Sequence, residues 1–237
     1  MHLTHDEITA LLISAKVALA ATLLCLPLGM ATAWLLARHE FAGKFWLEAS
    51  VQLPMVLPPV VPGYMLLTLL GTQGPVGAWL LAHWGITLAF NWKGAALASA
   101  VMAFPLMVQP MRLSFRMIDV RLEQAAATLG ARPWQVFRRI TLPLAAPGIV
   151  AGALLCFSRS VGEFGATMAF VGNIPGETRT LPLAIYSYSH LPDGDAAAQR
   201  LVWLSIALAM AALLTCHWLT RRAERYLNTN EEAGSKA

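Results

Sequence analysis

Five stretches of mostly apolar residues, each about as long as a bilayer is thick, dominate this chain. Crossing ~30 Å of hydrocarbon takes about 20 such residues in a helix. Runs near Ile8 to Leu36, Ala49 to Leu70, Gly94 to Met111, Leu142 to Val171 and Leu201 to Leu219 meet or approach that length, and the first contains only Lys16 as a charge. Backbone groups in lipid must be satisfied within their own segment, so spans of this kind are helical. Charged residues make up 13% of the 237 positions, against about 25% in a soluble domain, and that leaves too little polar surface for a water-soluble fold. The expected fold class is an all-α integral membrane protein with five transmembrane helices. Disordered, collagenous and disulfide-framework chains are excluded by the same composition. Cys25, Cys156 and Cys216 stand in apolar stretches without metal-ligand spacing and read as buried thiols, so neither a metal site nor a cofactor is expected.

The placement of charge orients the spans. Twelve of the seventeen basic residues fall on one side: Arg38 and Lys44 after the first span, six arginines between the third and fourth, and four basic residues after the fifth. The positive-inside rule puts that side in the cytoplasm, with the N-terminus outside and the C-terminus inside. The net charge of +4 comes from these loops and implies no nucleic-acid partner. Gly77 to Leu88 and Leu181 to Ser187 are too short to cross and read as surface or re-entrant helices, with a sixth span at 181–191 as the alternative. The first run lacks the basic lead-in of a secretory signal and exceeds its usual length, so it is expected to remain in the mature protein. Residues 1–225 read as one membrane domain and 226–237 as a polar, frayed cytoplasmic tail.

Two spans carry unusual residues. The second contains Pro54, Pro58 and Pro62 at four-residue intervals, a spacing that places them along one helical face. Each proline removes a backbone donor and bends the helix. The freed carbonyls must be buried in protein or line an aqueous path, so the span is either a kinked packing helix or a pathway wall broken near mid-membrane. The fourth carries Arg159 and Glu163, four apart and able to pair, followed by Phe164 and Gly165. Arg159 lies ~30 Å beyond the cytoplasmic Arg139. The pair is therefore expected toward the outer end, as a gate or as a structural ion pair. Gly162, Gly165 and Ala166 would let helices approach closely.

The largest cytoplasmic loop, about residues 119–140, reads as two short helices. Asp119 suits an N-cap, Gly130 a C-terminal stop, and Pro133 the first turn of a second helix that leads into the fourth span. Small alanines and surrounding arginines suit docking into a groove on a partner. No zinc-protease, nucleophile-elbow or phosphate-loop motif is present. A membrane enzyme is disfavoured, and energy for active transport would have to come from another subunit.

This loop resembles the cytoplasmic signature of ABC importer permeases, E-A-A-x3-G-x9-I-x-L-P. Ala125, Ala126, Gly130, Ile140, Leu142 and Pro143 match at the right spacing; the glutamate position holds Gln124, with Glu123 one place earlier. The stretch from Arg159 to Thr167, the Ile174-Pro175-Gly176-Glu177-Thr178 segment and the proline run of the second span are similar to the molybdate and tungstate branch. The likeness covers about residues 8–225. It implies a type I ABC importer permease fold in the bacterial inner membrane, working as a homodimer with two ABC ATPase subunits and an extracellular or periplasmic oxyanion-binding protein. ATP hydrolysis would then belong to the partner. The resemblance further implies that Glu123 to Leu142 couples to that ATPase. An outer gate is expected at Glu163 to Ala166 and the proline face of the second span, with Pro54, Pro58, Pro62, Arg159, Phe164 and Gly165 as further pathway residues. A sulfate or thiosulfate permease is the nearest alternative. A secondary transporter would need internal repeats or midplane ion ligands, and neither is evident; a channel would not depend on ATP.

Overall fold

A computed structural model describes the backbone of residues 4–234 and the side chains of residues 4–215 and Trp218. The side chains of Cys216, Arg221, Arg222 and Arg225 and the end of the chain at 235–237 lie outside what is described. Helix α1 (His5–Arg38) opens on a reciprocal cap: Thr4 accepts from Glu7 N–H, and the Glu7 carboxylate accepts from Thr4 N–H at 2.8 Å. Such a box satisfies two otherwise orphaned donors. Glu7 is fully buried and also pairs at 2.8 Å with Arg200 of the last helix, tying the outer ends of the first and last spans together.

The second span is two helices, α2 (Lys44–Val56) and α3 (Val60–Leu70), bent by 111°. The cause is local. Pro58 forces the residue before it out of helical geometry, and Leu57 is extended at φ −74°, ψ 144°. The break also corrects the expectation of one proline face. Pro54 belongs to α2, Pro58 to the break, and Pro62 is buried in α3, because the four-residue spacing aligns side chains only in an unbroken helix.

Helix α4 (Pro75–Trp84) is short, and α5 (Trp92–Met117) forms the centre of the bundle. Ala95, Ala96, Ala98, Ala100 and Ala103 on α5 are buried against its neighbours; small residues let backbones approach closely where apolar burial gives no advantage over lipid. A Cβ on Gly152 would fall 2.6 Å from the Met107 carbonyl oxygen, which shows how tightly α5 meets the fourth span. Cys25 and Cys156 are buried there as free thiols, Cys25 Sγ donating to Ala100 O at 3.3 Å.

The cytoplasmic loop forms α6 (Val120–Thr128) and α7 (Pro133–Val136), and α7 runs through a π-helical turn at Phe137–Thr141 into α8 (Leu142–Val161). The fourth span was expected to continue to Val171. Instead it stops at Val161, turns over 162–164, and restarts as α9 (Gly165–Val171). Helix α10 (Leu181–Ser189) has nine residues, ~14 Å at 1.5 Å per residue, too short to cross. Helix α11 (Asp195–Gly234) turns Trp203, Ile206, Met210 and Leu214 outward. It continues to Gly234, so most of the expected frayed tail is helical. Among the described residues, four helices are long and apolar enough to cross a bilayer, and the bent α2–α3 pair makes five.

Candidate functional site

Two regions gather the residues singled out in the sequence. On the cytoplasmic side, Asp119 caps α6 by accepting from Arg121 N–H at 2.9 Å. The other end closes with two crossed bonds: Gly130 N–H to Ala127 O at 3.0 Å, and Ala131 N–H to Ala126 O at 3.1 Å. This is a Schellman corner, which needs a left-handed residue at its turn; Gly130 sits there at φ +84°. The glycine at 130 thus has a local structural reason. Pro133 opens α7 and Arg132 N–H is held by Gln135 Oε1 at 2.8 Å. Gln124 and Ala125 face outward, while Glu123, Ala126, Ile140 and Leu142 are half-buried and Pro143 is exposed in the first turn of α8. Leu129 and Trp134, 88% and 66% exposed, form an uncovered apolar tip.

The half-burial of Glu123 has a cause the local spacing did not reveal. Its Oε1 accepts from Arg38 Nη2 at 2.9 Å and from Thr141 Oγ1 at 2.6 Å. Nearby, Arg112 of α5 pairs with Glu48 of α2. Partners 85 and 64 residues apart lie far beyond any helical spacing rule. Only the surplus of arginines on this face hinted that some would be paired.

At the other end of α8, Arg159 Nη1 meets Glu163 Oε2 at 2.7 Å. The second Glu163 oxygen accepts from Ala166 N–H at 2.9 Å, so the carboxylate also serves the first turn of α9. Glu163 is 2% exposed, whereas the Arg159 side chain is about one-third open. Phe164 packs on Tyr186 of α10 with ring centres 5.2 Å apart. The two breaks also meet. A Cβ on Gly63 of α3 would lie 2.5 Å from Ala166 O, and one on Gly165 would lie 2.8 Å from Pro59 Cβ. The proline break and the glycine turn therefore interlock. In the crook of the α2–α3 bend lies an open groove of about 410 Å³, lined by uncharged residues including Ser50, Leu53, Pro54, Leu57, Pro62 and Met65. It gathers Pro54 and Pro62, and Arg159 is not among its lining residues.

Broken spans locked at one end of a continuous α7–α8 rod, with a small ordered loop exposed at the other, define the membrane subunit of a transporter. Residues 26–225 match the family of binding-protein-dependent transport system inner membrane components, and the chain belongs to that family. It is 55% identical over 221 residues to the molybdenum transport system permease protein of Escherichia coli K12, covering 93% of this chain and 96% of that one. Its identity to the molybdenum transport system permease protein of Haemophilus influenzae is 49% over 227 residues, covering 96% and 99%. The fold is that of a chain in the crystal structure of a bacterial ABC transporter involved in alginate import, with TM-score 0.71 and 18% identity over 93% of this chain and 80% of that one.

Proposed function

We propose that this chain is the permease subunit of an ATP-driven importer that carries molybdate into the cytoplasm. In this reading it works as a homodimer on two ATPase subunits and receives the anion from a binding protein on the outer face. The observation that carries the substrate is the near full-length similarity to molybdenum transport permeases. Competition in a strain relying on this chain tests it. Uptake of radiolabelled molybdate should be displaced by tungstate and little affected by equal sulfate, and should stop with vanadate. Efficient displacement by sulfate would favour the sulfate permease alternative, and vanadate-resistant uptake a channel or secondary transporter.

The mechanism follows from continuity. Pro133–Val161 forms one 29-residue helical rod, ~44 Å long at 1.5 Å per residue. ATP binding would close the ATPase pair, draw the docked α6–α7 corners together, and swing the far ends of the rods that carry Arg159 and the α8–α9 turn. The π-helical turn at 137–141 is a natural place for the rod to flex. Nucleotide then biases a two-state switch between inward-open and outward-open arrangements. The uncharged groove is consistent with transport, since a strongly charged site would hold the anion instead of passing it.

Within this reading Arg159 supplies weak attraction at the outer gate. Arg159→Ala should lower uptake severalfold per inserted molecule. It also leaves the Glu163 carboxylate buried without its cation, a loss of about 3–5 kcal/mol in a fully buried pair that water around the open side of Arg159 reduces. Adding Glu163→Gln removes that cost. The double variant is expected to recover membrane abundance but not uptake; recovery of both would make the pair purely structural.

A further inference from the structure

We propose that Glu123 is a positioning residue held within its own chain, fastening the docking loop through Arg38 and Thr141 to the inner ends of α1 and α8. The inference rests on reading residues 119–140 as the ATPase docking loop. Helix α6 has no fully buried residue, so apolar burial holds it only weakly. What fastens it is one carboxylate oxygen shared by two donors, Arg38 Nη2 at 2.9 Å and Thr141 Oγ1 at 2.6 Å. Arg38 is the last residue of α1, and Thr141 is 2% exposed in the turn that feeds α8. With the Arg38 side chain 12% and the Glu123 side chain 22% exposed, the pair is screened less than a surface bridge. Charge-assisted bonds of this kind are the stronger class. Phe137 supports the same junction, its ring 6.0 Å from both Trp34 of α1 and Trp134 of α7.

The consequence concerns what a docked partner moves. An ATPase engaging the outward residues Gln124, Leu129 and Trp134 does not need the Glu123 carboxylate, which is already committed in the opposite direction. Displacement of α6 instead pulls on α1 and α8 together. Two spans that are distant in sequence then leave the inward-open arrangement as one body. Without the tie, α6 could follow the ATPase while α1 stays behind, and hydrolysis would proceed with little transport.

The test uses the intact transporter in proteoliposomes, measuring ATPase co-purification, ATP hydrolysis and molybdate uptake. Arg38→Ala and Glu123→Ala should each keep the ATPase bound while lowering molybdate carried per ATP by about tenfold, within the usual range of coupling between sites. The double variant should be no worse than either single one, as expected of partners in one network, and the exchanged pair Arg38→Glu/Glu123→Arg should recover part of the loss. Release of the ATPase by Glu123→Ala but not by Arg38→Ala would overturn the proposal in favour of direct contact. Unchanged transport per ATP with reduced protein amount would overturn it in favour of a purely structural bridge. A wild-type chain that binds no ATPase would overturn the docking reading itself, before any variant is made.

Discussion

Gly130→Val is expected to abolish uptake and to loosen or uncouple the ATPase while the protein still inserts in the membrane. The residue turns the Schellman corner at φ +84°, a region where L-residues pay roughly 1–2 kcal/mol and β-branched ones more. A Cβ at this position meets nothing within 4 Å, so the effect is purely conformational. Nothing nearby needs to move to make room, yet the backbone can no longer hold both crossed bonds to Ala126 and Ala127. Because α6 has no fully buried residue, it has little packing energy with which to absorb such strain. Asn tolerates the left-handed region, so Gly130→Asn is expected to keep much of the uptake that Gly130→Val loses. Uptake and ATPase co-purification, both normalised to membrane-inserted protein, check the pair. Normal uptake in the valine variant would remove the corner from the coupling mechanism.

The contrast between what was and was not legible in the sequence follows from the range of each interaction. The corner was legible because its chemistry is local: Asp119, Gly130 and Pro133 each act within four residues of themselves. The spans were legible because lipid imposes length and apolarity on every crossing helix. Arg159 and Glu163 were visible as an i, i+4 pair. The stop at Val161 was not, since glycines in membrane helices often only permit close packing; here Glu163 accepts from Ala166 N–H and caps a new helix instead. The proline periodicity misled for a related reason. It implied a common face only while the helix was assumed continuous, and Pro58 itself removes that continuity. The ties Arg38–Glu123, Arg112–Glu48 and Arg200–Glu7 join residues 85, 64 and 193 positions apart. Composition says that buried charges need partners, but only the three-dimensional arrangement says which.

The interlock of the two breaks makes a strict demand on side-chain size, and it yields the second large effect. Gly63→Ala places a methyl 2.5 Å from Ala166 O, 2.8 Å from Ala166 Cα and 2.9 Å from Ala169 Cβ. The first two are backbone atoms in a helix and the third is a rigid methyl, so no side chain can rotate away. Helix α3 must move off α9, at an overpacking cost of about 1–3 kcal/mol. If these breaks form the outer gate, that displacement alters the gate itself, and uptake is expected to fall by about tenfold or more, the equivalent of ~1.4 kcal/mol on the transport barrier. The docking corner lies at the opposite end of the α8 rod, so ATPase co-purification should be unchanged. Gly162→Ala supplies the control: it lies in the α8–α9 turn beside this crossing, but its added Cβ comes no nearer than 3.9 Å to the Arg159 carbonyl oxygen, and uptake should remain close to normal. A general intolerance of this region to added bulk would depress both variants equally. A silent Gly63→Ala would show that α3 and α9 can separate without affecting transport, and would take the gate away from their crossing.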